Sequence, residues 1–250
     1  MTDRWAPEAS EGDRPVGDRL PPFPPRFTVS FVADTGSTNA DLLAAAADGA
    51  PDGTVLVADH QFAGRGRVGR TWVAPPGSNL LVSILFLHHL EEPQQLTNRV
   101  AVAAIRACER VAKVSPDLKW PNDLLLDGAK LAGILAEAGS QRGRLTCVVV
   151  GIGLNIGWAP PGAARLPCGT RDEVLWHLLD ELDHLPDDVH AEYRRRLVTL
   201  GMDVRLELPG DDLVGRAVDV EADGRLVVET GNGRRRISAG DVIHIRPVEP

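Results

Sequence analysis

The dipeptide Asp127-Gly128, set between Leu124-Leu125-Leu126 and the run Lys130 to Leu135, constrains this chain's fold more than any other feature. Both residue types accept the positive φ angles of a tight hairpin turn, and the apolar runs on either side supply two strands that pair antiparallel. Leu145 to Asn155 adds another buried strand after a turn at Gly143, so the centre of the chain is an antiparallel sheet. With only Asp127 and Gly128 in the turn, Leu126 pairs with Ala129 and Leu125 with Lys130. Asp123 then projects from the face shared by Leu125 and Lys130. Asp123 and Lys130 become diagonal neighbours, about 7 to 8 Å apart at the backbone, close enough for their side chains to share a site. A surface ion pair would have the same spacing, but a charged face on a leucine-rich strand is costly without a purpose.

Other elements gather around this centre. Phe27 to Ala33 alternates as a strand, and Thr38-Asn39-Ala40-Asp41 has the form of a capping-box start to a helix over Asp41 to Asp48 that Gly49 closes. Gly53 to Asp59 and Asn79 to Leu87 read as strands, with about eighteen unpatterned residues between them, a length that marks a functional or disordered loop. Pro93 opens a helix whose stripe runs through Leu96, Val100, Ala103, Ala104, Ala107 and Val111. Glu173 to Leu185 and Asp188 to Leu200 read as two further helices. After Gly201 the texture changes: short alternating segments separated by Asp223-Gly224 and Asn232-Gly233 predict four or five small strands over residues 201 to 247, as in a compact barrel. The expected organisation is a flexible tail over residues 1–26, which hold six of the nineteen prolines, a main α+β unit over 27–200 and a small β unit over 201–250.

Composition excludes several classes. No apolar run approaches the ~20 residues that cross a bilayer, and the first thirty residues lack the apolar block of a secretory signal. Three cysteines without C-x-x-C spacing argue against disulfides and zinc, and His60, His88 and His89 show no ligand spacing, so no metal site is assigned to protein residues and a reducing, cytoplasmic setting is expected. The net charge of -8 and a tail too short for a DNA-reading module predict no DNA partner.

Gly64-Arg65-Gly66-Arg67-Val68-Gly69-Arg70 matches the dinucleotide pattern G-x-G-x-x-G in letters, but no helix opens at its third glycine: Thr71, Trp72, Pro75 and Pro76 follow. What remains is either a solvated basic turn or a loop in which glycine amides and guanidinium forks embrace a phosphate or carboxylate. A loop so rich in glycine is expected to need a ligand to become ordered. A second glycine run, Gly151 to Gly157, reads as close backbone packing at a strand end, with Asn155 able to offer an amide to a phosphate. Ser37, Thr38 and Asn39 sit where a helix start either caps itself or holds a polar head group. Trp72 and Trp120 flank these loops and either cover a ring or pack. Of 27 basic residues only Lys113, Lys119 and Lys130 are lysines, which draws attention to places where a compact ammonium is used instead of the guanidinium fork.

Taken together, Gly36-Ser37-Thr38-Asn39, Gln61 with Gly64 to Arg70, Lys119-Trp120-Pro121-Asn122-Asp123 with Lys130, and Gly151 to Asn155 resemble, in order and spacing, the biotin protein ligases. The likeness spans about residues 28 to 247, and the segment Ala159 to Thr170 matches poorly. It implies a class II synthetase-like catalytic domain, an antiparallel or mixed sheet with helices on one side, followed by a small SH3-like barrel, without an amino-terminal DNA-binding domain. It further implies that Ser37, Thr38, Asn39, Gln61, Gly64, Arg65, Gly66, Arg67, Lys130 and Gly133 contact biotin, and that Arg65, Arg67, Arg70, Trp72, Asn122, Lys130 and Asn155 face ATP. Lys130, Asp123 and Arg67 carry the catalytic roles by the same resemblance. Mg2+ accompanies ATP, and the acceptor is a lysine of a biotin carboxyl carrier domain such as that of acetyl-CoA carboxylase. The rival readings are a lipoate-type ligase and a non-catalytic nucleotide-sensing module.

Overall fold

A computed structural model describes residues 20–88, 93–208, 212–238 and 241–244. The main sheet has seven strands: β1 (Thr28–Thr35), β2 (Thr54–Gln61), β3 (Leu80–Phe86), β4 (Asp117–Lys119), β5 (Asp123–Leu126), β6 (Ala129–Gln141) and β7 (Arg144–Leu154). Their order is β1-β2-β3-β7-β6-β5-β4; β1 and β2 are parallel and every other pair is antiparallel.

Side chains alternate across this sheet, and the alternation separates two environments. Val55, Val57, Val82, Ile84, Val148, Val150 and Ile152 point to one face and form the large core with α2 (Pro93–Ala112) and α3 (Arg171–His184). Leu56, Leu85 and Val149, the residues in between, point to the other face and meet Leu42 and Ala45 of α1 (Thr38–Ala47). The two long helices thus share one side as expected, while the short helix α1 lies across the sheet from them. Burying each large side chain in such a core contributes about 1.5–3 kcal/mol.

Several local expectations change. Helix α1 begins at Thr38 with Ser37 as its N-cap residue and no side-chain cap, because the Thr38 hydroxyl is engaged by Gln61 and Ser83 instead. A true capping box opens α3, where Thr170 and Glu173 satisfy each other's backbone amides. The helix expected over Asp188 to Leu200 is only α4 (His190–Arg196). Leu197 leaves it to bridge Leu118, and the Val198 amide donates to the Leu118 carbonyl at 2.9 Å, so sheet pairing overrides helical propensity. The last part of the expected tail, residues 20–26, is held in place: Trp176 Nε1 donates to the Pro22 carbonyl at 3.2 Å, and Phe23 packs on the core. Residues 1–19 of that tail lie outside the described residues, as do residues 245–247 at the end of the expected barrel.

The carboxy-terminal unit is a five-stranded antiparallel sheet: β8 (Asp203–Glu207), β9 (Leu213–Val220), β10 (Leu226–Thr230), β11 (Gly233–Ile237) and β12 (Asp241–His244), ordered β11-β10-β9-β8-β12. Asp223-Gly224 and Asn232-Gly233 are its turns as anticipated, with φ of 81° at Gly224 and 105° at Gly233. The fully buried Trp120 ties it to the main unit. Its indole Nε1 donates to the Gly224 carbonyl at 2.9 Å and its amide to Thr199 Oγ1 at 3.0 Å, so this tryptophan packs at the join, with an edge on the cavity wall. Among the described residues no helix is long and apolar enough to cross a membrane.

Candidate active site

Asp127 (φ 51°) and Gly128 (φ 78°) form the two-residue turn, and Leu126 faces Ala129 and Leu125 faces Lys130. Beyond that point the register shifts: Leu124 faces Ala132 and Asp123 faces Gly133, leaving Leu131 as an extra residue on β6. The bulge has a direct consequence. Lys130 and Gly133, three positions apart, would point to opposite faces of a regular strand, and the extra residue brings both onto one face with Asp123. Lys130 Nζ lies 2.7 Å from Asp123 Oδ1 as an ion pair and 5.7 Å from the centre of the Trp72 ring.

This pair stands in a cavity of about 430 Å3 on the face of the sheet that carries α1. The floor is made of Gly133, Gly151 and Gly153, whose partners across β6 and β7 are in register. A Cβ at Gly153 would overlap the Trp72 ring, and one at Gly151 the carboxamide oxygen of Asn39. The second glycine run therefore does what close packing requires, and the room it leaves is the site itself.

One end of the cavity is a hydrogen-bond chain. The Thr38 amide donates to Gln61 Oε1 at 2.8 Å, and the Thr38 hydroxyl lies 2.6 Å from Ser83 Oγ and 3.1 Å from Gln61 Oε1. Ser83 Oγ donates to Asn39 Oδ1 at 2.6 Å, and Asn39 Nδ2 donates to the Leu135 carbonyl at 3.1 Å and to Glu137 Oε2 at 2.9 Å. A hydroxyl has one proton. Ser83 spends its proton on Asn39, so the single proton of Thr38 lies between two acceptors, Ser83 Oγ and Gln61 Oε1, and Thr38 has only a lone pair to offer an N–H group in the cavity. Ser37 is buried beside it.

The arginine–glycine loop arches over the other end. It closes on itself: Arg65 bridges Thr71, the Gly66 amide donates to the Arg70 carbonyl at 2.6 Å, and the Trp72 amide donates to the Gly64 carbonyl at 3.0 Å. Its tip turns through left-handed Val68 (φ 53°) and Gly69 (φ 69°). Arg65 Nη1 also pairs with Glu137 Oε1 at 2.9 Å. The order expected to require a ligand is thus partly supplied by the loop's own bonds and one anchor on β6.

Of the residues singled out, Ser37, Thr38, Asn39, Gln61, Arg65, Gly66, Arg67, Arg70, Trp72, Asn122, Asp123, Lys130 and Gly133 converge on the cavity. Two do not reach it. Gly64 lies under the loop, where a Cβ would overlap the Trp72 carbonyl. Asn155 is buried, with Nδ2 donating to the Ala164 carbonyl at 2.9 Å and Oδ1 accepting from Asn79 at 3.1 Å, so it ties the segment 159–170 to the strand end rather than facing the cavity. Three polar residues lacked any motif to announce them: Ser83 on β3, Glu137 on β6 and Glu207, which brings the carboxy-terminal sheet into the cavity wall. Only the strand register, once known, puts Ser83 and Glu137 on the cavity face.

Residues 35–155 match the Biotin/lipoate A/B protein ligase family, and residues 199–245 match the Biotin protein ligase C terminal domain. The biotin--[acetyl-CoA-carboxylase] ligase of Mycobacterium tuberculosis is 41% identical over 243 residues, covering 87% of this chain and 89% of that protein. The chain belongs to the biotin protein ligase family. A Paracoccus denitrificans protein of the same name is 38% identical over 241 residues, covering 85% of this chain and 98% of the relative. The solved structure of the Aquifex aeolicus biotin protein ligase in complex with biotin and ATP aligns with a TM-score of 0.73 at 26% identity, covering 87% of this chain and 98% of that one. The motifs from Gly36 to Asn155 fall in the first matched region and the small β unit in the second.

Proposed function

We propose that this chain joins biotin to ATP as biotinyl-5'-AMP, releasing pyrophosphate, and then passes the biotinyl group to a lysine of a biotin carboxyl carrier domain, releasing AMP. The observation that carries this reading is the Lys130–Asp123 pair on a glycine floor beneath the arginine loop. A carboxylate and a phosphate repel each other, and cations already oriented where their charges meet lower that barrier without reorganising. Lys130, Arg65 and Arg67 supply them. Thr38, with a lone pair at the closed end, suits an N–H group of biotin's ureido ring, and Gln61 stands beside it.

In the second step a neutral amine attacks the acyl carbon, AMP leaves, and the amine must lose a proton. Asp123 is the carboxylate at hand once Lys130 turns from it to the anion, and it takes that proton. Arg70, Trp72 and Asn122 line the cavity and are the groups this reading gives to the nucleotide; the Asn122 side-chain nitrogen donates to the Ile134 carbonyl at 2.6 Å and leaves its oxygen for the ligand. Among the described residues no three acidic, His or Cys side chains converge as a metal cage. The donor set fits an ion carried mainly by the ATP phosphates and touched by one carboxylate, Asp123 or Glu207. Mg2+ bound there would neutralise phosphate charge. The proposed setting is the cytoplasm, without DNA as a partner.

The test is to incubate the purified protein with MgATP, a carrier domain and either biotin or lipoate, and to read intact mass. Gain of one biotinyl group on the carrier supports the proposal. Modification by lipoate alone, or none with an active carrier, overturns it.

A further inference from the structure

We propose that Glu137 is a positioning residue, the anchor that sets Arg65, and through it the arginine–glycine loop, over the cavity before ligand arrives. No motif marks Glu137, and its role is read from where it stands. It projects from β6 opposite Val149, on the cavity face. Its two oxygens are divided between two tasks: Oε1 pairs with Arg65 Nη1 at 2.9 Å, and Oε2 accepts from Asn39 Nδ2 at 2.9 Å. Through Asn39, Ser83 and Thr38 the chain of hydrogen bonds continues to Gln61. Gln61 ends β2, where the loop leaves the sheet, and Arg65 is the loop's first bridging residue. The loop is therefore pinned at both ends of one continuous network that runs beneath the ligand's place.

The geometry gives the anchor a specific strength. The Glu137 side chain is 23% exposed and the Arg65 side chain 43%, so water screens the pair, and its effect on loop opening is about three- to five-fold rather than orders of magnitude. An anchor of that size suits a loop that must open for substrate and close over an adenylate. The same network gives the empty loop a reason to sit near its closed position, which shortens the search when the anion arrives.

Glu137→Gln isolates the charge, because glutamine keeps an oxygen for Asn39 and loses only the ionic hold on Arg65. The loop reports its own opening, since trypsin cuts after arginine and Arg67 and Arg70 lie in it. Arg142 and Arg144, at the turn between β6 and β7, serve as an internal control in the same hairpin. With ligand-free protein, Glu137→Gln should raise cleavage at Arg67 and Arg70 about three- to five-fold and leave cleavage at Arg142 and Arg144 unchanged. Wild-type cleavage in the loop should rise with salt while that of the variant stays flat. Arg65→Gln should match Glu137→Gln, and the double variant should add nothing. Unchanged loop cleavage, an equal rise at the control turn, or additive effects would overturn the anchor.

A second measurement rests on the ligase reading: Glu137→Gln should raise the Michaelis constant for biotin and the release of adenylate more than it lowers the turnover of adenylation. If turnover alone falls, the residue does not act through the loop. If wild-type protein makes no adenylate, the ligase reading fails, while the cleavage ratios still decide the role of Glu137.

Discussion

Beneath α2 and α3 the main sheet presents valines and isoleucines at Val55, Val57, Val82, Ile84, Val148, Val150 and Ile152, whereas the opposite face of the neighbouring strands presents Gly133, Gly151 and Gly153. One face is made by filling space and the other by leaving it. The filled face depends on many side chains of similar kind, so its members are individually exchangeable within the limits of volume. The open face depends on a few absences, one bulge at Leu131 and a handful of hydrogen-bonded polar atoms. Stability should be lost on the first face and chemistry on the second.

The largest expected break of the open face is Lys130→Arg. The substitution keeps the charge but replaces a compact ammonium, 2.7 Å from Asp123, with a planar fork that needs more width. Biotin-dependent pyrophosphate exchange should fall about 10²- to 10³-fold, the scale of losing one oriented cation or donor at a reacting oxygen. Thermal unfolding should stay near that of wild type. Activity within a few-fold of wild type would remove Lys130 from the role assigned to it.

Ile105→Ala probes the filled face from inside α2, where the side chain is fully buried. It should cost about 2–5 kcal/mol in urea unfolding and leave the Michaelis constant for biotin unchanged in the protein that remains folded. A change in that constant comparable to the loss of stability would mean the two faces are coupled more tightly than the alternation suggests.

The same contrast explains what could be read from residue order. The filled face and its helices were legible because burial leaves a pattern: an unbroken apolar run along β7, and i, i+3, i+4, i+7 along α2. The hairpin at Asp127-Gly128 was legible because φ > 0 at both turn positions restricts the residue types. The pairing of Asp123 with Lys130 followed from it, although the bulge that places Gly133 beside them did not, since an extra leucine in a leucine-rich strand leaves no mark. Asn155 was left open for a related reason. An asparagine beside glycines suits a phosphate or a strand end equally, and only the carbonyls of Ala164 and Lys130 decide between them. Glu207 was invisible because its place depends on how the two sheets meet at Trp120.

A sharper test on the open face is Gly153→Ala. The added methyl would overlap the Trp72 ring, which must move, and overpacking of this kind costs about 1–3 kcal/mol. Since Trp72 stands at the rim of the cavity, that cost should appear as a weaker apparent affinity for ATP, by roughly five- to a hundred-fold. Titration by tryptophan fluorescence and kinetics both read it. A loss of folding stability alone would show that the glycine serves packing and not the site.

Arg67→Gly tests retention rather than synthesis. Opening the loop more often should let biotinyl-5'-AMP escape and acylate exposed lysines on an unrelated protein, raising bystander labelling about ten-fold while adenylate formation falls less. A bystander that stays unlabelled while synthesis continues would show that this arginine is not the retaining clamp.

The smallest effect lies among residues that do not line the cavity, the ion pairs that join α2 to α4. Arg196 meets Glu109 at 2.8 Å and Glu192 at 3.0 Å, and Arg106 meets Glu192 at 2.5 Å. The Arg106 hydrogen bond, helped by Arg196 against the cost of burial, holds the Glu192 carboxyl below its ordinary value of 4.5. At Glu109 burial pushes upward, but hydrogen bonds from Arg196 and Ser115 overcome it and the net direction is again down. A carboxyl whose pKa is lower in the folded than in the unfolded state adds stability that is complete above the unfolded value, near 4.5. That stability disappears as pH falls through the lower folded value. These side chains are partly exposed, so each contribution is about 0.5–1 kcal/mol. Glu192→Gln should therefore destabilise the protein to urea by about that amount at pH 7, and the gap to wild type should close in acid below the ordinary glutamate range. Biotin-dependent exchange at pH 7 should not change. A gap that persists in acid would mean Glu192 acts by packing instead of charge, and a change in exchange would mean the filled face reaches the site by a route that the strand alternation does not contain.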